Sequence, residues 1–120
     1  MVMYTERELN DGTRVYFAKP STPVAPGLIA ALSHALAEIS GIIEAHLPQY
    51  YAEGDAKSRL VLIIGVHAET EIAAIIPRLA EELKTLIPAG EELDILPFAA
   101  EAIPAAVRAT QCRIFETAIR

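Results

Sequence analysis

The strongest constraint on the fold is a run of seven apolar residues, LVLIIGV, at positions 60–66. Successive side chains of a strand point to opposite faces of a sheet, so a strand with one hydrated face alternates apolar and polar residues. This run does not alternate, and its valines and isoleucines favour a strand. We therefore expect a central strand with a covering layer on each face. The second layer is either the C-terminal tail of the chain or a second subunit.

Length and charge limit the class of protein. The 120 residues predict one domain, with a core at about 13–98 and a tail at 99–120. A net charge of −6 would repel a phosphate backbone or an anionic lipid surface, so we expect neither nucleic acid nor membrane as a partner. Cys112 is the single cysteine and forms no internal disulfide. No signal-peptide pattern is visible, and we expect a cytoplasmic protein.

The remaining pattern predicts four main strands, two main helices and a helical tail. Strands are expected at about 13–18, 42–51, 60–66 and 93–98, helices at 26–40, 69–87 and 101–110, and a short final strand at 112–115. The apolar stripe of the second helix continues through Pro77, which predicts one kinked helix, with a new helix beginning at Pro77 as the alternative. In the second strand, Glu44 and His46 are expected on one face. This order is typical of an α+β, ferredoxin-like βαββαβ sandwich, with an antiparallel sheet and both main helices on one face.

Several phrases of the sequence carry a resemblance to a known family. They are GTRVYF at 12–17, the prolines Pro20 and Pro23, GIIEAHL at 41–47, the strand at 60–66, and ELDILP at 92–97. Together they resemble the C-terminal domain of the SseB family, the enhanced serine sensitivity proteins. His46 departs from the aromatic residue that is usual at its position. The resemblance covers about residues 10–116 and implies an α+β fold, but it brings no active site with it.

The densest group of possible ligand residues is His67, Glu69 and Glu71, where the 60–66 strand meets the second helix. Acidic residues at this place are also typical of an ordinary helix N-terminus. The chain has no paired metal-ligand spacing, no nucleophile motif and no glycine-rich phosphate loop. We therefore expect no catalytic residue, no metal and no cofactor.

Four residues are candidates for a protein interface: Tyr16, Tyr50, Tyr51 and Gly65. Tyrosine is enriched at interfaces, and glycine in a central strand permits another chain to approach closely. Packing at the hairpin end and beneath a helix are the structural alternatives. The sequence favours a non-enzymatic protein-interaction or regulatory module that self-associates, for example as a dimer. The alternatives are an ACT-like domain that binds amino acids and an uncharacterised enzyme.

Overall fold

The computed structural model describes residues 15–20, 24–52, 59–87 and 93–117, and these ranges contain six strands and three α-helices. In chain order they are β1 (Val15–Ala18), α1 (Pro26–Ala37), β2 (Ile42–His46), β3 (Gln49–Ala52), β4 (Arg59–Val66), α2 (Ile72–Leu86), β5 (Asp94–Ala99), α3 (Ala105–Ala109) and β6 (Arg113–Glu116). Single 3-10 turns at Glu69–Glu71 and Ala100–Ala102 follow β4 and β5. Gly12, Pro23, Glu92 and the first two residues of the predicted 13–18 strand lie outside the described residues.

Strand β4 is the centre of the sheet. Its first residues pair with β3 and its later residues with β2, both antiparallel, while β5 pairs with it in parallel along the other edge. Between Val61 and Val66 every side chain is at most 1% exposed. The prediction of a central strand shielded on both faces is therefore confirmed.

The α+β class is confirmed, but a ferredoxin-like order is not. In that fold the two parallel strands of each βαβ unit are split by another strand. Here β4 and β5, which α2 connects along the chain, are hydrogen-bonded directly to each other in parallel. No strand lies between them, and the sheet is not wholly antiparallel. At the opposite edge, β1 lies beside β3 and β6 lies beside β2. The order of elements along a chain does not determine which strands become neighbours, because strand pairing is a long-range choice.

Both main helices pack on one face of the sheet, as predicted. The apolar stripes of α1 and α2 share a core with the residues of β2, β4 and β5 that point the same way; its fully buried members are Leu32, Leu36, Ala45, Leu62, Ile64, Val66, Leu79, Leu83 and Ile95. Pro77 lies inside α2 on its exposed side, so the helix continues through it as a single element. None of the described helices has the length and apolar character needed to cross a membrane.

The C-terminal segment 100–109 covers the second face of the sheet. Ile103 and Val107 from this segment are buried against Val61 and Ile63 of β4 and Leu96 of β5. The layer that covers the second face of the sheet therefore belongs to the same chain, and no second subunit is needed to cover it.

The predicted tail helix at 101–110 is wrong as a single element. Pro104 has no N–H and disfavours a helical conformation in the residue before it. The chain therefore forms a 3-10 turn, leaves it at Ile103, and begins the five-residue helix α3 after Pro104.

Candidate functional site

A buried polar cluster lies between the sheet and the C-terminal segment. Glu44 and His46 come from β2, and Arg108 comes from α3. The guanidinium of Arg108 donates to both carboxylate oxygens of Glu44, at 2.7 and 2.9 Å, and to the carbonyl of Ala100 at 3.1 Å. Nε2 of His46 lies 2.7 Å from Oε2 of the same carboxylate, the oxygen that also accepts from Nη1 of Arg108. Glu44 is 8% exposed and His46 is 3% exposed, so the cluster ties α3 to the sheet from within.

Local sequence makes room for this cluster. Glu44 lies opposite Gly65 in the register between β2 and β4, just after an irregularity in the pairing. A Cβ atom on Gly65 would lie 2.9 Å from Cγ of Glu44 and 2.8 Å from Cδ1 of Ile103. Glycine is therefore favoured at a position where the side chains of Glu44 and Ile103 both pack against the strand. Gly65 lies inside the protein and not on its surface.

The ion pair fixes the charge of the cluster. Burial by itself would raise the pKa of Glu44, but the hydrogen bonds from Arg108 and His46 together with their charges outweigh burial and lower it from its ordinary value of 4.5. The hydrogen bond to Glu44 raises the pKa of Arg108. Glu44 is therefore ionised at neutral pH and only accepts, so Nε2 of His46 is the donor in their contact.

Both ring nitrogens of His46 are withdrawn from solvent: Nε2 contacts Glu44, and Nδ1 is buried. Nδ1 of its ring is buried and has no hydrogen-bond partner among the described residues. A general base needs a free nitrogen within reach of the proton that it takes. With Nε2 engaged by Glu44 and Nδ1 buried, neither nitrogen of the ring is free to take a proton from a substrate.

Beside the cluster lies a cavity of about 470 Å³, which we call the basic cavity. Its described lining residues are His46, Arg108, Gln111 and Arg113. Arg108 and Arg113 each have a side chain roughly half exposed. A guanidinium has five N–H donors, and the described residues take three of those on Arg108, one on Nη1 and two on Nη2, which leaves the N–H of Nε and one N–H of Nη1. Arg113 makes one exposed contact of 3.3 Å with Glu116, so most of its donors also remain.

A second cavity, of about 410 Å³, shares Gln111 and Arg113 with the first. Most of the other residues that line it are apolar, and we call it the apolar cavity. Its remaining lining residues are Lys19, Pro20, Val24, Ile29, Leu47, Cys112 and Ile114. The two cavities are neighbours along the segment that joins α3 to β6, in which Gln111 has a φ of 58°.

Another buried carboxylate, Asp94, lies at the start of β5. The hydroxyl of Tyr50 donates to its Oδ2, and Nη1 of Arg59 lies 3.7 Å from the same oxygen. Its other oxygen, Oδ1, is buried without a partner among the described residues. Asp94 is 3% exposed and lines neither cavity, so its contacts hold β3, β4 and β5 together.

The residues predicted from sequence are not brought together into a site. His67 and Glu69 are exposed, and Glu71 accepts from the backbone N–H of Ala68 as a cap of the 3-10 turn. No group of His, Cys, Asp and Glu side chains within the described ranges could hold a metal ion.

The tyrosines are divided between surface and core. Tyr16 and Tyr51 are 53% and 40% exposed, and their ring centroids are 6.4 Å apart across the β1–β3 pair. Tyr50 is only 2% exposed because its side chain points to the opposite, covered face of the sheet.

The cluster of Glu44, His46 and Arg108 is not predicted by the pattern of the sequence. Glu44 and His46 were recognised as sharing a strand face, but that face was not expected to be buried beneath Arg108. The available signal was the contrast between polar residues at alternate positions of β2 and the unbroken apolar run of its neighbour β4. The second signal was Arg108 within an alanine-rich tail. A segment that packs on an apolar sheet face carries an arginine there when a carboxylate lies opposite it, as Glu44 does.

Comparisons of the chain with protein-family models, curated proteins and solved structures found no match. The resemblance to the SseB family therefore stays a prediction that rests on the sequence phrases alone.

Proposed function

We propose that this protein is a non-enzymatic regulatory module that binds a small carboxylate in the basic cavity. The observation that carries the proposal is the local charge. The chain has a net charge of −6, yet the described lining of this cavity includes two arginines and no carboxylate; Glu44 and Glu116 each pair with one arginine from beside the cavity and leave guanidinium N–H donors unused. An acidic protein that concentrates cationic donors at one concave place favours an anionic ligand there.

Geometry favours a carboxylate. Arginine presents paired N–H donors that match the two oxygens of a carboxylate, and such pairs are stronger than neutral hydrogen bonds. Arg108 already uses its paired donors on Glu44, which holds its guanidinium in place, so a ligand carboxylate would take paired donors from Arg113 and single donors from Arg108. A free amino acid would also bring an ammonium group, for which the described lining offers no anion. A simple carboxylate therefore fits better than the amino acid of an ACT-like domain.

A regulatory role is supported by the positions of the two arginines that would hold the ligand. Arg108 belongs to α3, which covers the sheet, and Arg113 belongs to the edge strand β6. A ligand held between them joins two elements that otherwise meet through a short turn. Because a ligand that binds only the native state stabilises it by mass action, occupancy would tighten the covering segment against the sheet. The shielded nitrogen of His46 supports binding over catalysis.

The test is calorimetric titration with butanoate, with a thermal-shift measurement against sodium chloride at equal ionic strength. We expect saturable binding and a raised melting temperature. Arg113→Ala should weaken binding about tenfold, since a charge-assisted contact contributes about 1.5–3 kcal/mol. The matched control is Arg78→Ala, which removes the same charge from the exposed side of α2 and should bind like the parent protein. Absence of binding, or equal weakening by both variants, would refute the proposal.

A second candidate function is self-association through the exposed tyrosine pair. Tyr16 and Tyr51 lie side by side on the exposed face of the β1–β3 pair, with their ring planes tilted by 36°, and tyrosine is favoured at interfaces. Two side chains supply only part of the roughly 800 Å² per partner that a stable interface buries. Light scattering should therefore report a weak, concentration-dependent dimer that Tyr16→Ser with Tyr51→Ser abolishes. A monomer at every concentration would remove this candidate.

A further inference from the structure

We propose that the ligand is an amphipathic monocarboxylate of medium chain length, with its head group in the basic cavity and its alkyl chain in the apolar cavity. This inference rests on the proposed function, because it assumes that the carboxylate binds where the arginines lie. It adds the chemical class of the rest of the ligand.

The basic cavity and the apolar cavity lie next to each other. Gln111 and Arg113 line both of them, although the basic cavity lies on the face under the C-terminal segment and the apolar cavity lies on the helix face, so a ligand that fills both has to pass Gln111 and Arg113. A ligand with a charged end and an apolar end can satisfy both linings at once. A wholly polar ligand would leave the apolar cavity unused.

The lining of the apolar cavity suits an alkyl chain. Val24 and Ile29 border it from the helix side, and Leu47 and Ile114 border it from the sheet. Val24, Ile29 and Ile114 are only partly buried, so they keep apolar surface that a ligand can cover. Among the described residues that line it, the charged ones are Lys19 and Arg113, both cations. This combination repels a cationic tail and suits an alkyl chain whose single charge is negative.

The expected gain in affinity can be set from chain length. Each methylene that is fully buried contributes about 0.8 kcal/mol, which is about fourfold in Kd. The apolar cavity is open to solvent, so each methylene is only partly buried. We therefore expect about half of this free energy, or about a twofold change in Kd per methylene. Octanoate should therefore bind at least about tenfold more tightly than butanoate.

The experiment is a calorimetric series from acetate to octanoate, below the critical micelle concentration and at constant ionic strength. Octanamide, which keeps the chain and lacks the charge, is included as a probe of the head group. The diagnostic variant is Val24→Asp, which places a carboxylate in the apolar cavity. Its matched control is Ala25→Asp, the same charge at the next residue, which is exposed and does not line the cavity.

The proposal predicts that affinity rises with chain length, that octanamide binds at least tenfold more weakly than octanoate, and that Val24→Asp removes the chain-length gain while Ala25→Asp keeps it. Butanoate binding that depends on Arg113 but does not strengthen with chain length would overturn this inference and leave the proposed function standing. Failure of every carboxylate to bind would overturn both. Chain-length dependence that survives Val24→Asp would place the alkyl chain elsewhere and also overturn the inference.

Discussion

Replacement of Glu44 by glutamine tests whether the buried ion pair organises the site. The side chain keeps its size but loses its charge. Three hydrogen bonds that now end on a carboxylate, two from Arg108 and one from His46, would each lose an ionised partner. Fully buried, such bonds contribute about 1.5–3 kcal/mol apiece. Glutamine still accepts one of them, and the side chain of Arg108 is 44% exposed and can be rehydrated. We therefore expect Glu44→Gln to destabilise the protein by about 2–3 kcal/mol, or about 6–12 °C in melting temperature.

The pH dependence of this loss identifies its cause. The pKa of Glu44 is lower in the folded protein than its ordinary value of 4.5. A lowered folded pKa contributes stability that is complete above the unfolded pKa and is lost as the pH falls through the folded pKa. Urea unfolding followed by circular dichroism should show the full difference between parent and Glu44→Gln at neutral pH. The difference should shrink as the pH is lowered below 4.5.

The matched control for this experiment is Glu81→Gln. Glu81 has a side chain 72% exposed and makes a single 3.1 Å contact with Lys84 on the same helix. An exposed pair of this kind is worth little, so we expect a change within about 0.5 kcal/mol. Equal stability of parent and Glu44→Gln at neutral pH, or a difference that does not change with acidification, would refute the reasoning.

Three further substitutions probe the packing around the site. Val107→Ala removes two methyl groups from a fully buried position and should lower the free energy of unfolding by about 2–3 kcal/mol in urea titrations; an unchanged value would mean that the C-terminal segment does not dock on the sheet. Gly65→Ala introduces a Cβ within 2.8 Å of Ile103 and should cost about 1–3 kcal/mol by overpacking, visible as a lower melting temperature, whereas a stabilised variant would contradict the close approach. Tyr50→Phe removes a donor from the buried carboxylate of Asp94 and should cost about 1–3 kcal/mol in guanidinium unfolding, and a neutral effect would show that this hydroxyl is dispensable.

Local patterns predicted the elements of this fold well. The unbroken apolar run became β4, the two amphipathic stripes became α1 and α2, and α2 continues through Pro77 as one helix. The strand predicted at 42–51 is divided in the structure into β2 and β3, on either side of Pro48. These features depend on side-chain periodicity and on proline chemistry, which a sequence carries residue by residue.

Pairing and burial were harder to predict. Nothing local in residues 94–99 shows that they lie beside β4 in parallel, because that choice depends on the path taken by α2. Glu44 and His46 have a polar pattern that ordinarily indicates a hydrated face. Their burial depends on Arg108, which lies 64 positions after Glu44 and neutralises the carboxylate. A site built from such distant partners becomes visible only when the tail is placed on the sheet.

The most direct test of the account is an amide proton–nitrogen correlation spectrum recorded during titration with octanoate. The central claim is that a carboxylate ligand binds where α3, β6 and β2 meet. We predict saturable shifts centred on His46 and on residues 108–114, with the amides of Arg78 and Lys84 unmoved. Shifts that never saturate, or that spread over the outer surfaces of α1 and α2 and leave Arg108 and Arg113 unchanged, would contradict it.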